Sequence, residues 1–258
     1  MILNIKNPKK FRTMIRNKEW TSQTAGMMPG FIQANLVVLP QDYAIDFAAF
    51  CVRNPKSCPL LDIASPGGYD TIFAKGADLR TDLPKYHIYK EGNLDQVVTD
   101  LKTIWRDDFV SFLLGCSHTF EPILYSAGIP IRYQEQGLKL CLYETNIPTF
   151  SVGPFKGNVL VSMRPIPAEM VTKAAVISAR YPRVHGGPLH IGEPSLIGVD
   201  INSPYIGDKV KFLPGDIPVF WGCGVTPQHI ALNAKIPYMI THAPGHMFVT
   251  DFLIEDLG

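Results

Sequence analysis

An α/β fold is what this 258-residue sequence predicts: a largely buried mixed sheet with flanking helices, in two closely integrated lobes. Three observations predict it. Short apolar, β-rich runs alternate with stretches of helical spacing over most of the chain, the pattern of strands covered by helices. Apolar residues make up 46% and charged residues 18%, a balance that sustains a sizeable core. Finally, one segment nearly occurs twice. Phe112 to Ile131 and Val219 to Tyr238 share Gly115/Gly222, Cys116/Cys223, Thr119/Thr226, Ile123/Ile230, Ala127/Ala234, Ile129/Ile236 and Pro130/Pro237 at one constant offset. Each copy reads as an apolar run, a Gly-Cys turn, a Thr at a helix start, an amphipathic helix and an Ile-Pro exit.

The elements follow in order. Lys9 to Arg16 reads as a short helix and Thr21 to Gly30 as a loop. Phe31 to Leu39 is a strand closed by Pro40, and Gln41 to Arg53 has helical spacing in Tyr43, Ile45, Phe47 and Phe50. Leu60 to Ala64 is a strand leading to the turn Ser65-Pro66-Gly67-Gly68. Tyr86 to Tyr89 and Leu94 to Val98 flank Glu91-Gly92-Asn93 as a hairpin. Asp107 to Gly115 fits helix or strand. Pro122 to Ala127 is helical, Leu138 to Tyr143 and Asn158 to Met163 are strands, and Pro167 to Arg180 is a helix. Ile191 to Val199 reads as loop and strand. Ile217 to Trp221 and Tyr238 to Ile240 are strands around a helix at Pro227 to Asn233. No Ser-rich or charged linker divides the chain, so residues 1–258 are read as one domain, with any lobe boundary near 140–150.

Composition bounds the function. A net charge of +1 gives no bulk electrostatic case for nucleic acid or an anionic membrane. No apolar run approaches the ~18 residues that span a bilayer, and Met1 to Lys6 lacks the apolar stretch of a secretory signal. Five cysteines, an odd number without a Cys-x-x-Cys pair, argue against a disulfide framework and a structural zinc site, which sets a cytoplasmic expectation. The early basic residues Lys6, Lys9, Lys10, Arg12, Arg16 and Lys18 read as a solvated helix face rather than an anion-facing lid.

The Gly-Cys turns are the first candidates for chemistry. A turn at a helix start leaves backbone N–H groups unpaired where the dipole favours anions. Two such turns facing each other would hold a molecule with two carboxylates. Ser117 and Gly224 follow the cysteines, and Thr119 and Thr226 open the helices. Cys116 and Cys223 are either thiols activated at a helix start or small buried turn residues. Glu121 and Gln228 occupy equivalent places; Glu121 suits a general acid or base, or simple helix-start polarity. Arg164, flanked by Pro165 and Pro167, is expected to project from a rigid strand end and grip a carboxylate. His185 to His190 and His242 to His246 concentrate imidazoles in Gly- and Pro-rich loops suited to proton transfer. A metal held by His242, His246, His190 and Asp200 or Asp251 is the alternative there. Gly-x-Gly-x-x-Gly, Walker and Gly-x-Ser-x-Gly motifs are absent, so nucleotide and serine-hydrolase chemistry lack support.

The stretches Gln33 to Leu36, Asn54 to Leu61, Asp78 to Pro84, Gly115 to Ser117, Thr145 to Pro148 and Ser162 to Pro165 resemble a known family. So do Phe220 to Gln228 and Thr241 to Asp251. The chain resembles the bacterial hydro-lyase family whose domain recurs in D-glutamate cyclase, from about Arg12 to Asp251. It departs from the family pattern where His118 replaces the usual aromatic, Thr149 a Cys and Gly222 an Ala.

The resemblance implies a two-lobed α/β fold and a hydro-lyase, and with it the conversion of D-glutamate to 5-oxo-D-proline or a related dehydration of a small carboxylate. On that expectation Arg164 and Asn146 hold the α-carboxylate, and His242 or His246 takes a proton. The Gly-Cys turns, with Ser117, Gly224 and Thr226, bind the oxyanion. Glu121 or Cys116 serves as acid, Cys223 is a further catalytic candidate, and His190 contacts the substrate. No cofactor is expected, though a divalent metal stays compatible with the His loops. The expected partner is a small carboxylate or amino acid; nucleic acid and membrane are not expected, and a homo-oligomer is left open. Competing readings are a metal-dependent hydrolase and a non-catalytic carboxylate-binding module.

Overall fold

The computed structural model describes residues 6–257. The opening stretch Met1 to Ile5 lies outside the described residues.

The chain order is α1 (Pro8–Arg16), β1 (Phe31–Pro40), α2 (Gln41–Arg53), β2 (Leu60–Ile63), β3 (Tyr86–Lys90), β4 (Asn93–Val98) and β5 (Phe109–Gly115). It continues with α3 (Glu121–Ser126), α4 (Arg132–Glu135), β6 (Leu142–Pro148), β7 (Asn158–Pro167), α5 (Val171–Ala179) and β8 (His190–Ile191). Last come β9 (Asp216–Gly222), α6 (Thr226–Asn233), β10 (Tyr238–His242) and β11 (Phe248–Leu253). The α/β class and flanking helices are present as the sequence predicts. The strands divide between two sheets: β2-β5-β1-β10-β3-β4, with β11 also on β1, and β6-β7-β9-β8. Every described pairing is antiparallel.

The repeat extends further in space than in sequence. In the first sheet Ala34, Asn35, Val37 and Pro40 of β1 pair with Gly115, Leu114, Phe112 and Phe109 of β5. In the second, Val161, Ser162, Arg164 and Pro167 of β7 pair with Gly222, Trp221, Val219 and Asp216 of β9. The register is the same in both. Each first strand runs ten residues and ends on a proline. Each second strand ends on the glycine of a Gly-Cys turn. The side chains of both pairs enter one hydrophobic core that holds Leu36, Leu113, Phe120, Met163, Phe220 and Trp221. A second core beneath α2 and α6 stacks Phe47 edge-on against Phe112 and Phe155.

Three local readings change. The strand expected at Leu138 to Tyr143 begins only at Leu142. The helix expected from Pro167 starts at Val171, because β7 continues through both prolines to Pro167. The β6 ladder on β7 stops at Ser162. Beyond it, β7 has a free side where a missing proline N–H removes no ladder bond. On α1, Lys9 and Lys10 are exposed as a solvated face, but Arg12 is buried. Its guanidinium donates to the Val249 carbonyl and the Asp251 carboxylate, and Arg16 pairs with Asp82.

Candidate functional site

Each Gly-Cys turn is fixed by the same three devices. The Thr119 and Thr226 amides donate to the carbonyls of Cys116 and Cys223, at 3.0 and 2.9 Å. The Thr119 hydroxyl accepts from the Gln33 amide of β1, and the Thr226 hydroxyl from the Leu160 amide of β7. Each turn glycine is pressed against backbone. A Cβ on Gly115 would strike the Arg183 carbonyl, and one on Gly222 would lie 2.5 Å from the Lys56 carbonyl. The two turns also touch each other, since a Cβ on Gly224 would collide with the Asn35 side chain and lie 3.2 Å from the Gly115 carbonyl. Asn35 Nδ2 donates to that same carbonyl at 2.9 Å.

Behind the first turn stands an ion pair. Arg164, fully buried in mid-strand, donates from Nε to Glu121 Oε1 at 2.9 Å and from Nη2 to the same oxygen and to the Ser117 hydroxyl. Its Nη1 donates to Ser162. The guanidinium is flanked by the Phe120 and Trp221 rings. Glu121 Oε2 accepts from Tyr133 Oη at 2.7 Å, Gln134 Nε2 at 3.0 Å and His118 Nδ1 at 3.2 Å. Burial alone would raise the Glu121 pKa; the Arg164 charge, then His118 and these hydrogen bonds, hold it down at about 2. A carboxylate so filled with donors orients its neighbours and is no proton donor near neutral pH.

Behind the second turn the network is uncharged. β1 pairs with β11 up to Ala34 and with β10 from Val37, so the Leu36 amide falls in the gap between them. His242 fills that gap: its Nδ1 accepts from the Leu36 amide at 3.2 Å and lies 2.8 Å from Gln228 Nε2. Burial drops the His242 pKa to about 3, so the imidazole is neutral. The cysteines are neutral too. Burial raises Cys116 to about 12 against the pull of the His118 amide, and Cys223 to about 11 against that of Val225. That favours the small-turn-residue reading over an activated thiolate.

Both turns open onto one cavity of about 310 Å³. Asn35, Cys116, Ser117, His118 and Tyr133 line one part, and Cys223, Gly224, Val225 and His242 another. Gln23, Ala25, Gly26, Pro244 and Gly245 also contribute, and Lys139 stands at the exposed rim. The loop is pinned by the Thr24 and Ala25 amides on the Gly245 carbonyl. The Ser117 and Gly224 amides have no acceptor among the described residues. Among the described residues no Asp or Glu lines the cavity.

Residues 110–251 match the D-glutamate cyclase family. A Geobacillus kaustophilus relative named "Putative hydro-lyase" is 52% identical over 252 residues, 97% of this chain and 96% of the relative. The Bacillus licheniformis relative of that name is 50% identical over 260 residues, covering 100% and 99%. In Bacillus subtilis, "Putative hydro-lyase YcsI" is 48% identical, covering 97% and 98%. The chain belongs to the D-glutamate cyclase family. Among solved structures, a nitrogen repressor-like protein from Methanococcus jannaschii aligns over 99% of both chains at 13% identity and a TM-score of 0.41, too distant to carry an argument.

Within this D-glutamate cyclase fold, Cys116, Ser117, Cys223, Gly224 and His242 converge on the cavity. Glu121 and Arg164 stand one layer behind Ser117, and Arg164 leaves from mid-strand rather than from a strand end. The Thr226 hydroxyl is spent on both the amide and carbonyl of Leu160. His246 is buried beside the lining, with Nδ1 on the Pro244 carbonyl. Asn146 is exposed against Gly198, and His190 bonds the Glu193 carbonyl; neither lines the cavity. Among the described residues no three His, Cys, Asp or Glu side chains are grouped to hold a metal ion, so the alternative cluster of His190, His242, His246 and Asp200 or Asp251 does not assemble. Sequence reasoning passed over Asn35, Tyr133, Lys139 and, as a site residue, His118. The signal for His118 was present: it sits two residues after Cys116 inside the repeat, opposite Val225.

Proposed function

We propose that this chain is a hydro-lyase that closes D-glutamate to 5-oxo-D-proline with release of water, or carries out a related dehydration of a small carboxylate. The observation that carries the proposal is the pair of acceptor-free amides, Ser117 and Gly224, on two touching turns that line a single cavity. Ring closure passes through a tetrahedral oxyanion, and preorganised N–H donors in a dry site stabilise such a charge; losing one typically costs ~3 kcal/mol. The cavity is of the size that takes a small metabolite. Lacking a lining carboxylate and bearing Lys139 at its rim, it favours an anionic ligand. The reacting amine and carboxyl belong to one molecule, so folding the substrate between the turns supplies much of the required orientation. The reaction neither oxidises nor reduces glutamate and needs no redox cofactor.

The test is incubation of purified protein with D- and L-glutamate and a panel of small hydroxy and amino acids, followed by chiral chromatography. Formation of 5-oxo-D-proline supports the proposal. Stabilisation by a dicarboxylate without turnover of any compound would instead favour a carboxylate-binding module.

A further inference from the structure

Two imidazoles border the cavity, and their hydrogen bonds place the Nδ1 hydrogen on one and not on the other. His118 Nδ1 lies 3.2 Å from Glu121 Oε2 and 3.3 Å from Tyr133 Oη. Tyr133 already donates to Glu121, and an ionised carboxylate only accepts, so Nδ1 of His118 carries the hydrogen. His242 is the reverse case: two donors address its Nδ1, the Leu36 amide at 3.2 Å and Gln228 Nε2 at 2.8 Å, against one longer contact of 3.4 Å to the Leu36 carbonyl, so the hydrogen is on Nε2. Neither Nε2 has a partner among the described residues, and both side chains line the cavity.

From this arrangement we infer that His118 is the proton acceptor of the site and His242 a hydrogen-bond donor to the substrate, a division of roles between the two turns that rests on the cyclase reading above. This assignment differs from the expectation that His242 or His246 takes the proton. The ring closure balances on these groups. Of the three ammonium hydrogens, one stays as the lactam N–H. His118 Nε2 takes the first of the other two, freeing the amine to form the C–N bond. The Ser117 and Gly224 amides and His242 Nε2–H hold the charge that gathers on the carboxyl oxygens. His118 returns its proton to one of those oxygens, then relays the second hydrogen lost by the new C–N nitrogen to the same oxygen, and the C–O bond breaks to release water. Glu121 and Tyr133 are positioning residues: they fix the His118 ring, and Glu121 offsets the imidazolium charge while it exists.

Long-range 1H–15N correlation spectra of the 15N-labelled protein near neutral pH test this directly. Signals are assigned by comparison with His118→Phe, which keeps a ring against Tyr133, with His118→Gln as a second variant, and with His242→Gln. The expected spectra show His118 protonated at Nδ1 with a bare Nε2, and His242 protonated at Nε2 with a bare Nδ1. In turnover, His118→Phe is expected to lower kcat by ~10²–10⁴-fold. Finding the hydrogen of His118 on Nε2, or that of His242 on Nδ1, would overturn the assignment whether or not D-glutamate is turned over. Expected tautomers in a protein inert toward D-glutamate would leave the acid–base pair standing and sink only the substrate.

Discussion

At the first Gly-Cys turn, Glu121 reaches across to Arg164 of the other sheet and is filled by five hydrogen-bonding contacts; at the second, the equivalent Gln228 reaches across to His242 and carries no charge. The backbones of the two turns are held by the same threonine, the same carbonyl and the same crowding of glycine. The repeat thus presents two turns in matching geometry, and their side chains give them different electrical settings. One half holds a buried ion pair that orients an imidazole. The other holds a neutral imidazole by a backbone amide.

The largest effect is expected from making the halves alike. Glu121→Gln leaves Arg164 charged, buried and without its anion, and breaking such a pair costs ~3–5 kcal/mol. The denaturant midpoint should fall accordingly, and the added change Arg164→Met should recover part of the loss, a coupling that a double-mutant cycle reads out. An unchanged midpoint in Glu121→Gln would mean that the ion pair does not support the first turn.

Next in size is the contact between the turns. Gly224→Ala drives a methyl into Asn35 and the Gly115 carbonyl. Overpacking of this kind costs ~1–3 kcal/mol, and it displaces the amide to which the proposed oxyanion binding is assigned. Activity should fall further than thermal stability does.

The halves should also separate on a pH scale. Glu121 is depressed from 4.5 to about 2, so its contribution is complete above about pH 4.5 and is lost as pH falls toward 2. His242 is depressed from 6.5 to about 3, and His185, enclosed beside Gly222, to about 4. Their contributions are complete above about pH 6.5 and are lost as pH falls from there. Stability measured against pH should therefore decline in two stages, the histidine stage first. His242→Gln should flatten the upper stage, leaving the His185 part, and Glu121→Gln should remove the lower one.

The smallest effect concerns the thiols. With Cys116 and Cys223 raised to about 12 and 11, native protein at pH 8 should resist alkylation at both, as followed by mass spectrometry. Cys116→Ser should keep most of its turnover, which a covalent thiol mechanism would not allow.

Much of this was legible in the sequence. Six of the seven shared residues of the repeat are turn and helix-exit residues, where backbone geometry restricts identity, so they stand out; the seventh, Ile123/Ile230, lies within the helix. The matching of β1 with β7 did not, because Phe31 to Pro40 and Asn158 to Pro167 have only the final proline in common. Their likeness is one of register, which many apolar residues satisfy equally. Arg164 was misplaced because Pro165 and Pro167 signal a turn, and only the sheet reveals that this side of β7 has no partner. His242 was found, but its tautomer depends on a ladder gap between β10 and β11 that no local pattern encodes. Tyr133 and Asn35 reach the site from separate elements, and nothing in their own surroundings marks them.

The central claim is that the two turns act as one receptor for a carboxyl group. Titration of the 15N-labelled protein with 5-oxo-D-proline or D-glutamate, following the Ser117 and Gly224 amide resonances, measures it most directly. Both amides should shift together along one saturation curve with a common Kd. Movement of one without the other, or a ligand that binds while both stay still, would contradict the account.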